Sequence, residues 1–177
     1  MYKKFISILV TLSFLAFSNS FAEEKFNIGV IDLNKVFAES KAGKSIEDAL
    51  KKKRDSEEAN FKKTQESLVK DGEDLKKQQG VLAVDAFEKK RKVHEGKVAE
   101  FQLAIQKSQN SFETARNNSL NAVHDKIMQI TKDISKKQSL KLVLLKAVAF
   151  YSEDSLDITS EVVKLLDKEM SKVEVKF

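Results

Sequence analysis

Residues 61–85 read FKKTQESLVKDGEDLKKQQGVLAVD, and the fold turns on how this stretch is interpreted. Phe61, Leu68, Leu75 and Leu82 recur every seven residues, with charged and amide side chains between them and no Pro. A repeat near 3.5 residues per turn lays these side chains along one stripe of a helix that packs on another helix. Gly80 then offers a left-handed stop, and Asp85 a side chain able to cap a new start. Beyond this turn Val98, Phe101, Ile105 and Phe112 recur at intervals of three, four and seven, and Leu120, Val123, Ile127, Ile130 and Ile134 resume the alternation. The expectation is an antiparallel helical arm over residues 45–137 with its tip near 80–85. Its outgoing helix, about 46–79, would be roughly 50 Å long.

The arm's seam is thin. Thr64 or Gln65, Asp71 or Gly72, and Gln78 occupy the positions where a coiled coil would place a second apolar residue in each heptad. Gly72 and Gly96 each weaken a helix interior by about 1 kcal/mol. A helical but bendable arm follows. Between Phe112 and Val123 the spacing slips to eleven, which relaxes left-handed supercoiling locally. Apolar content rises after that point, so the returning helix is expected to enter a better packed body.

Working outward, Phe26–Ile31 has the alternation of a strand with Ile28 and Val30 on one face. Asp32 and Asn34 are caps for a short helix holding Val36, Phe37 and Ala38. Residues 40–45 read as a break, with Ser45 and Asp48 opening the long helix. At the far end Leu140–Leu145 reads as a buried strand, Ala147–Tyr151 as its neighbour, and Asp157–Glu161 as the capped start of a last helix. Three short strands would make one small sheet from 23–44 and 138–177, with exposed edges that self-association would cover. The fold class is therefore α+β, mostly α, with a small β-sheet body and a long helical-hairpin arm.

Met1–Ala22 has the form of a cleavable secretory leader: Lys3 and Lys4, an apolar run over Phe5–Phe17, and Ser20-Phe21-Ala22 before the cut. The run falls short of the roughly 20 residues a membrane span needs. Formal net charge is +5, and loss of Lys3 and Lys4 leaves +3. One third of the chain is charged and Cys is absent, which excludes disulfides and Cys-ligated metal.

The chemistry-bearing residues are few. His94 and His124 lie thirty residues apart along one helix, about 45 Å, too far to share a metal within one chain. No Gly-rich phosphate loop is present; Gly43-Lys44 lacks the preceding glycine. The expectation is no enzyme, no cofactor and no metal. Near balance of charge and the lack of interleaved aromatics argue against nucleic acid. Around the tip Lys76, Lys77, Lys89, Lys90, Arg91, Lys92 and Lys97 outnumber Asp85, Glu88 and Glu95. This is either a solvated face or a patch for anionic lipid or lipopolysaccharide.

Ile28-Gly29-Val30-Ile31-Asp32, Val36-Phe37 and Ser40-Lys41-Ala42-Gly43 resemble the opening of the Skp (OmpH) family of periplasmic chaperones. Leu142-Val143-Leu144, Ala147-Val148 through Tyr151, and Asp157-Ile158-Thr159 are similar to that family's close. One departure is Leu145-Lys146-Ala147, where the family often has Asp, Asn or Gly. The resemblance implies a jellyfish-like homotrimer in the periplasm, its body built on Ile28, Val30, Leu142, Leu144 and Val148. It implies arms that hold unfolded outer-membrane proteins in a cavity without ATP. Phe61, Leu68, Leu75, Leu82, Phe87 and Phe101 are the candidate contacts, unless they serve only as the arm's own seam. The competing function is a structural coiled-coil spacer of the envelope.

Overall fold

The computed structural model describes residues 26–177; the leader expected at Met1–Ala22 lies outside them. In chain order the elements are β1 (Asn27–Ile31), α1 (Leu33–Glu39), α2 (Lys41–Lys77), α3 (Val84–Gln138), β2 (Leu140–Leu145) and α4 (Thr159–Glu169). At 1.5 Å per residue α2 is about 55 Å long and α3 about 80 Å. Together they form the hairpin arm, and the foot of each runs into the body. Among the described residues no helix is long and apolar enough to cross a membrane.

Asp32 ends β1 and starts α1: its carboxylate accepts the Lys35 N–H at 3.0 Å. The long helix begins at Lys41 rather than at Ser45. Ser40 is the cap, its hydroxyl accepting the Gly43 N–H at 3.1 Å. Residues 40–45 therefore form an elbow and the first turn of α2, not a break. Gly43 misled because it serves close approach: a Cβ there would sit 1.8 Å from the Phe37 carbonyl oxygen. Ser45 instead donates to the Ala42 carbonyl at 2.8 Å.

At the tip α2 ends at Lys77, and Gly80 takes φ +81°. α3 starts two positions earlier than a cap at Asp85 would place it. Ala83 precedes it, its carbonyl accepting the Phe87 N–H at 3.0 Å, and Asp85 lies inside the first turn. There its charge still favours the positive end of the helix dipole.

Among the described residues the body's sheet has two strands, not three. β1 and β2 run parallel, Ile28 opposite Leu142 and Ile31 opposite Leu145. A single bridge from Val30 to Asp157 touches the other edge of β1. The strand expected over Ala147–Tyr151 is absent: Lys146–Val148 make one tight helical turn and the chain then runs irregularly. Leu145-Lys146-Ala147 supplies none of the Gly, Asn or Asp residues that a two-residue hairpin needs for positive φ. Lys146 is instead drawn to Asp157, Nζ to carboxylate 2.8 Å.

The core lies at the foot of the arm. Val36, Ala42, Ile46, Leu50, Val123, Ile127, Ile130, Ile134, Val162 and Leu166 are buried there together. The eleven-residue gap in the α3 stripe is filled by two small side chains, Ala115 and Ser119, both buried. Spacing of four from Ala115 through Ser119 and Val123 to Ile127 keeps one face turned inward.

Asp157 fastens α4 to this body. Its carboxylate accepts the Thr159 N–H at 2.9 Å, while Thr159 Oγ1 accepts the Asp32 N–H at 2.9 Å. The hydrogen bond from Lys146, then that from the Thr159 hydroxyl, hold its pKa down at about 2. A carboxyl with a folded pKa below its unfolded value stabilises the fold above the unfolded pKa and loses that contribution as pH falls through the folded one. Asp157→Asn keeps an acceptor for Thr159 but removes the charge. The expected result is a loss of order 1 kcal/mol at neutral pH, discounted for the half-exposed Lys146. Urea denaturation should show the gap between parent and variant closing between about pH 5 and pH 2. A gap independent of pH would rule out the ion pair as its source.

Candidate functional site: the arm seam and the open sheet edge

From residue 51 to residue 114 no side chain is buried, although both helices are continuous there. Phe61, Leu68, Leu75, Leu82, Phe87 and Phe101 are all half-buried, Leu82 in the turn and the others on α2 and α3. The Phe61 and Phe101 rings meet edge to face, centroids 5.9 Å apart. The six candidate contacts thus share one seam, and the seam leaves each of them partly open to solvent.

Polar groups bridge what apolar packing does not. Lys97 reaches Asp71 across the hairpin at 2.7 Å, and Lys90 reaches Gln78 at 2.7 Å. The Lys97 hydrogen bond and charge hold the Asp71 carboxyl below its ordinary range. The Ser108 hydroxyl bonds Glu57 and, with Lys53, lowers that carboxyl's pKa against a desolvation cost. Gly72 faces His94, whose Nε2 would lie 3.3 Å from an added Cβ. His124, in the lower part of α3, is exposed beside Asp125. Among the described residues no group of His, Asp or Glu could hold a metal ion.

The arm carries further apolar surface that periodicity did not single out. Val69, Val93 and Leu103 are exposed, Leu103 at 64%, and Val93 lines the groove between the helices near Leu75 and His94. Each falls outside the alternation of three and four, so a heptad count passes over it; an apolar residue outside the repeat is the available signal.

The tip's positive charge is partly matched locally. Arg91 pairs with Glu88 and Glu95, each at 2.7 Å, and Lys77 with Asp74 at 3.1 Å. Lys76, Lys89 and Lys92 are exposed. Val81 and Val84 stand exposed beside them at the turn.

The five residues expected to build the oligomerisation body divide by exposure. Val30 is buried inside this chain, and Ile28 and Leu144 are half-buried. Leu142 faces outward, and Val148 is 72% exposed. Leu145, Phe150 and Tyr151 add to the same stretch of exposed apolar surface, with Phe150 fully exposed.

The pattern has counterparts. The family model for outer membrane protein (OmpH-like) matches residues 27–166. An uncharacterized protein of Aquifex aeolicus (strain VF5) is 29% identical over 168 residues, covering 94% of this chain and 97% of its own. A solved structure from Caulobacter crescentus CB15, described as an OmpH-like outer membrane chaperone, superposes with a TM-score of 0.79. That match has 19% identity and covers 85% of this chain and 89% of the other, and it shows a shared fold. With the family model covering β1, the whole arm, β2 and most of α4, the chain belongs to the OmpH-like (Skp) family.

Proposed function

We propose that this chain is an exported, ATP-independent periplasmic holdase that binds unfolded outer-membrane β-barrel proteins and prevents their aggregation. The observation that carries this reading is the contrast along α2 and α3: a buried core at the foot, and above it an arm with no buried side chain. An unfolded membrane β-barrel exposes alternating apolar side chains and unpaired backbone, so it aggregates in water. A holdase must bind each segment weakly and many segments at once, by mass action and without fuel. Partly open Phe61, Leu68, Leu75, Leu82, Phe87 and Phe101, with exposed Val69, Val93 and Leu103, suit such contacts.

Self-association follows from the same surface logic, and the family resemblance implies that the assembly is a homotrimer. Leu142, Leu145, Val148, Phe150 and Tyr151 beside the open edge of β2 form an apolar surface that a further copy would cover. A spacer of the envelope would need arms that pack fully on each other, which this seam does not provide. The test is size-exclusion chromatography with light scattering, with and without a urea-diluted outer-membrane β-barrel. A trimer that keeps the barrel protein soluble in a defined complex supports the holdase. A clean oligomer that lets it precipitate returns the chain to the spacer reading.

The tip is proposed as a contact for anionic lipid or lipopolysaccharide, on the observation that exposed Val81 and Val84 adjoin Lys76, Lys89 and Lys92. Neutralising Lys89, Lys90, Arg91 and Lys92 together is expected to weaken binding to anionic vesicles severalfold while trimers persist. Unchanged vesicle binding would remove this role.

A further inference from the structure

The segment that follows α4, residues 171–177, reads Ser-Lys-Val-Glu-Val-Lys-Phe and lies beyond the residues that the family model matches. It forms neither helix nor ladder. Val173 N–H donates to Ser45 Oγ at 3.0 Å, and the Phe177 ring lies 5.3 Å from Lys53 Nζ. Ser45 and Lys53 are about 12 Å apart along α2, a span that the four residues and the two long side chains meeting at Lys53 cover together. The segment therefore runs beside the foot of the arm, and an ion pair between Glu174 and Lys176, two positions apart, has the spacing of side chains on one face of extended backbone.

Its side chains alternate. Val173 and Val175 are half-buried against the edge of the core, whereas Glu174 and Lys176 point to solvent. Phe177 lies beside Phe112, centroids 6.2 Å apart, yet stays 43% exposed. Arg54 covers Phe112 at 5.2 Å, so two cations and an aromatic ring form the seat. Such a seat favours an aromatic side chain. From Phe112 an open groove of about 830 Å³ continues between the helices, past Glu57, Ser108 and Phe61.

An extended segment, apolar at every second position and without a backbone ladder, has the pattern of an unfolded transmembrane β-strand. We propose that residues 171–177 are a resident stand-in for such a strand, and that the foot of the arm (Ser45, Lys53, Arg54, Phe112 and the adjoining groove) is a client site from which an incoming barrel segment displaces them. This inference rests on the holdase reading. The resident segment lowers apparent client affinity by the fraction of time it leaves the seat empty. Chains whose segment no longer docks bind clients more tightly, and a damaged seat binds them less well.

The test compares the parent protein, the double variant Val175→Asp with Phe177→Ala, and Phe112→Ala, each titrated with a fluorescently labelled, urea-unfolded β-barrel protein. Circular dichroism and light scattering monitor helix content and oligomer mass alongside. The tail variant is expected to bind roughly three- to tenfold more tightly than the parent, and Phe112→Ala more weakly. Equal or weaker binding by the tail variant overturns the inference, because a segment with only a structural role leaves affinity alone or lowers it. Should Phe112→Ala lose helix, the tail variant decides by itself. A parent protein that binds no barrel protein at all instead refutes the holdase reading and the inference with it.

Discussion

Gly43→Ala is expected to unfold at a much lower urea concentration than the parent chain, with a loss of about 3 kcal/mol or more. The elbow between α1 and α2 brings two backbones together. An ideal Cβ at position 43 would lie 1.8 Å from the Phe37 carbonyl oxygen and 2.8 Å from its carbon. These atoms belong to the last turn of α1 and cannot swing aside as a flexible side chain would. Relief requires moving α1 off α2, and with it Val36, which is wholly buried in the core. Gly96→Ala is the matched control. It too lies within a helix, but nothing stands within 4 Å of its added Cβ, so it is expected to gain about 0.5–1 kcal/mol. Midpoints should be compared at one protein concentration, because subunit association adds to apparent stability. Two shifts of the same sign would refute the assignment of Gly43 to close approach.

Ile130→Ala is expected to cost about 2–5 kcal/mol, the range for emptying a sealed core position. Phe101→Ala removes a larger side chain yet is expected to cost less than about 2 kcal/mol. The difference is burial. Ile130 is 2% exposed within the cluster at the foot of the arm, whereas Phe101 is half open and meets Phe61 edge to face. Thermal melts followed by circular dichroism would rank them. Equal losses would mean that the arm is sealed by contacts outside the single chain, as when arms of neighbouring copies close on one another.

The hairpin was legible because Phe61, Leu68, Leu75 and Leu82 repeat across a stretch free of Pro, and a long periodic signal survives local noise. α1 was legible through the carboxylate of Asp32. Small residues hid the joints. Ser40 and Gly43 build the elbow, and Ala115 and Ser119 carry the stripe across its gap, by letting backbones approach without any apolar mass to signal it. The third strand failed for another reason: Ala147–Tyr151 has the composition of a strand, but pairing also needs a turn, and Lys146 holds Asp157 instead. Of the candidate site, the seam residues were readable as a stripe. Val69, Val93 and Leu103 were not, because they fall outside its repeat. Residues 171–177 were passed over because alternation across five positions is a weak local signal, and its meaning depends on Ser45, Lys53 and Phe112 more than sixty positions away.

The parallel pairing of β1 with β2 sets an order of events during folding. Asn27 meets Leu140 and Ile31 meets Leu145, so the sheet closes only when the segments flanking both ends of the arm are in place. Tying off more than a hundred disordered residues costs about 4 kcal/mol in loop entropy before any strand contact offsets it. The tight turn at Gly80 removes most of that obstacle, because zipping the two helices from the tip downward carries the ends toward each other. A weak seam is thus expected to have a kinetic office that its stability conceals: a guide rail for folding, with the body shutting last.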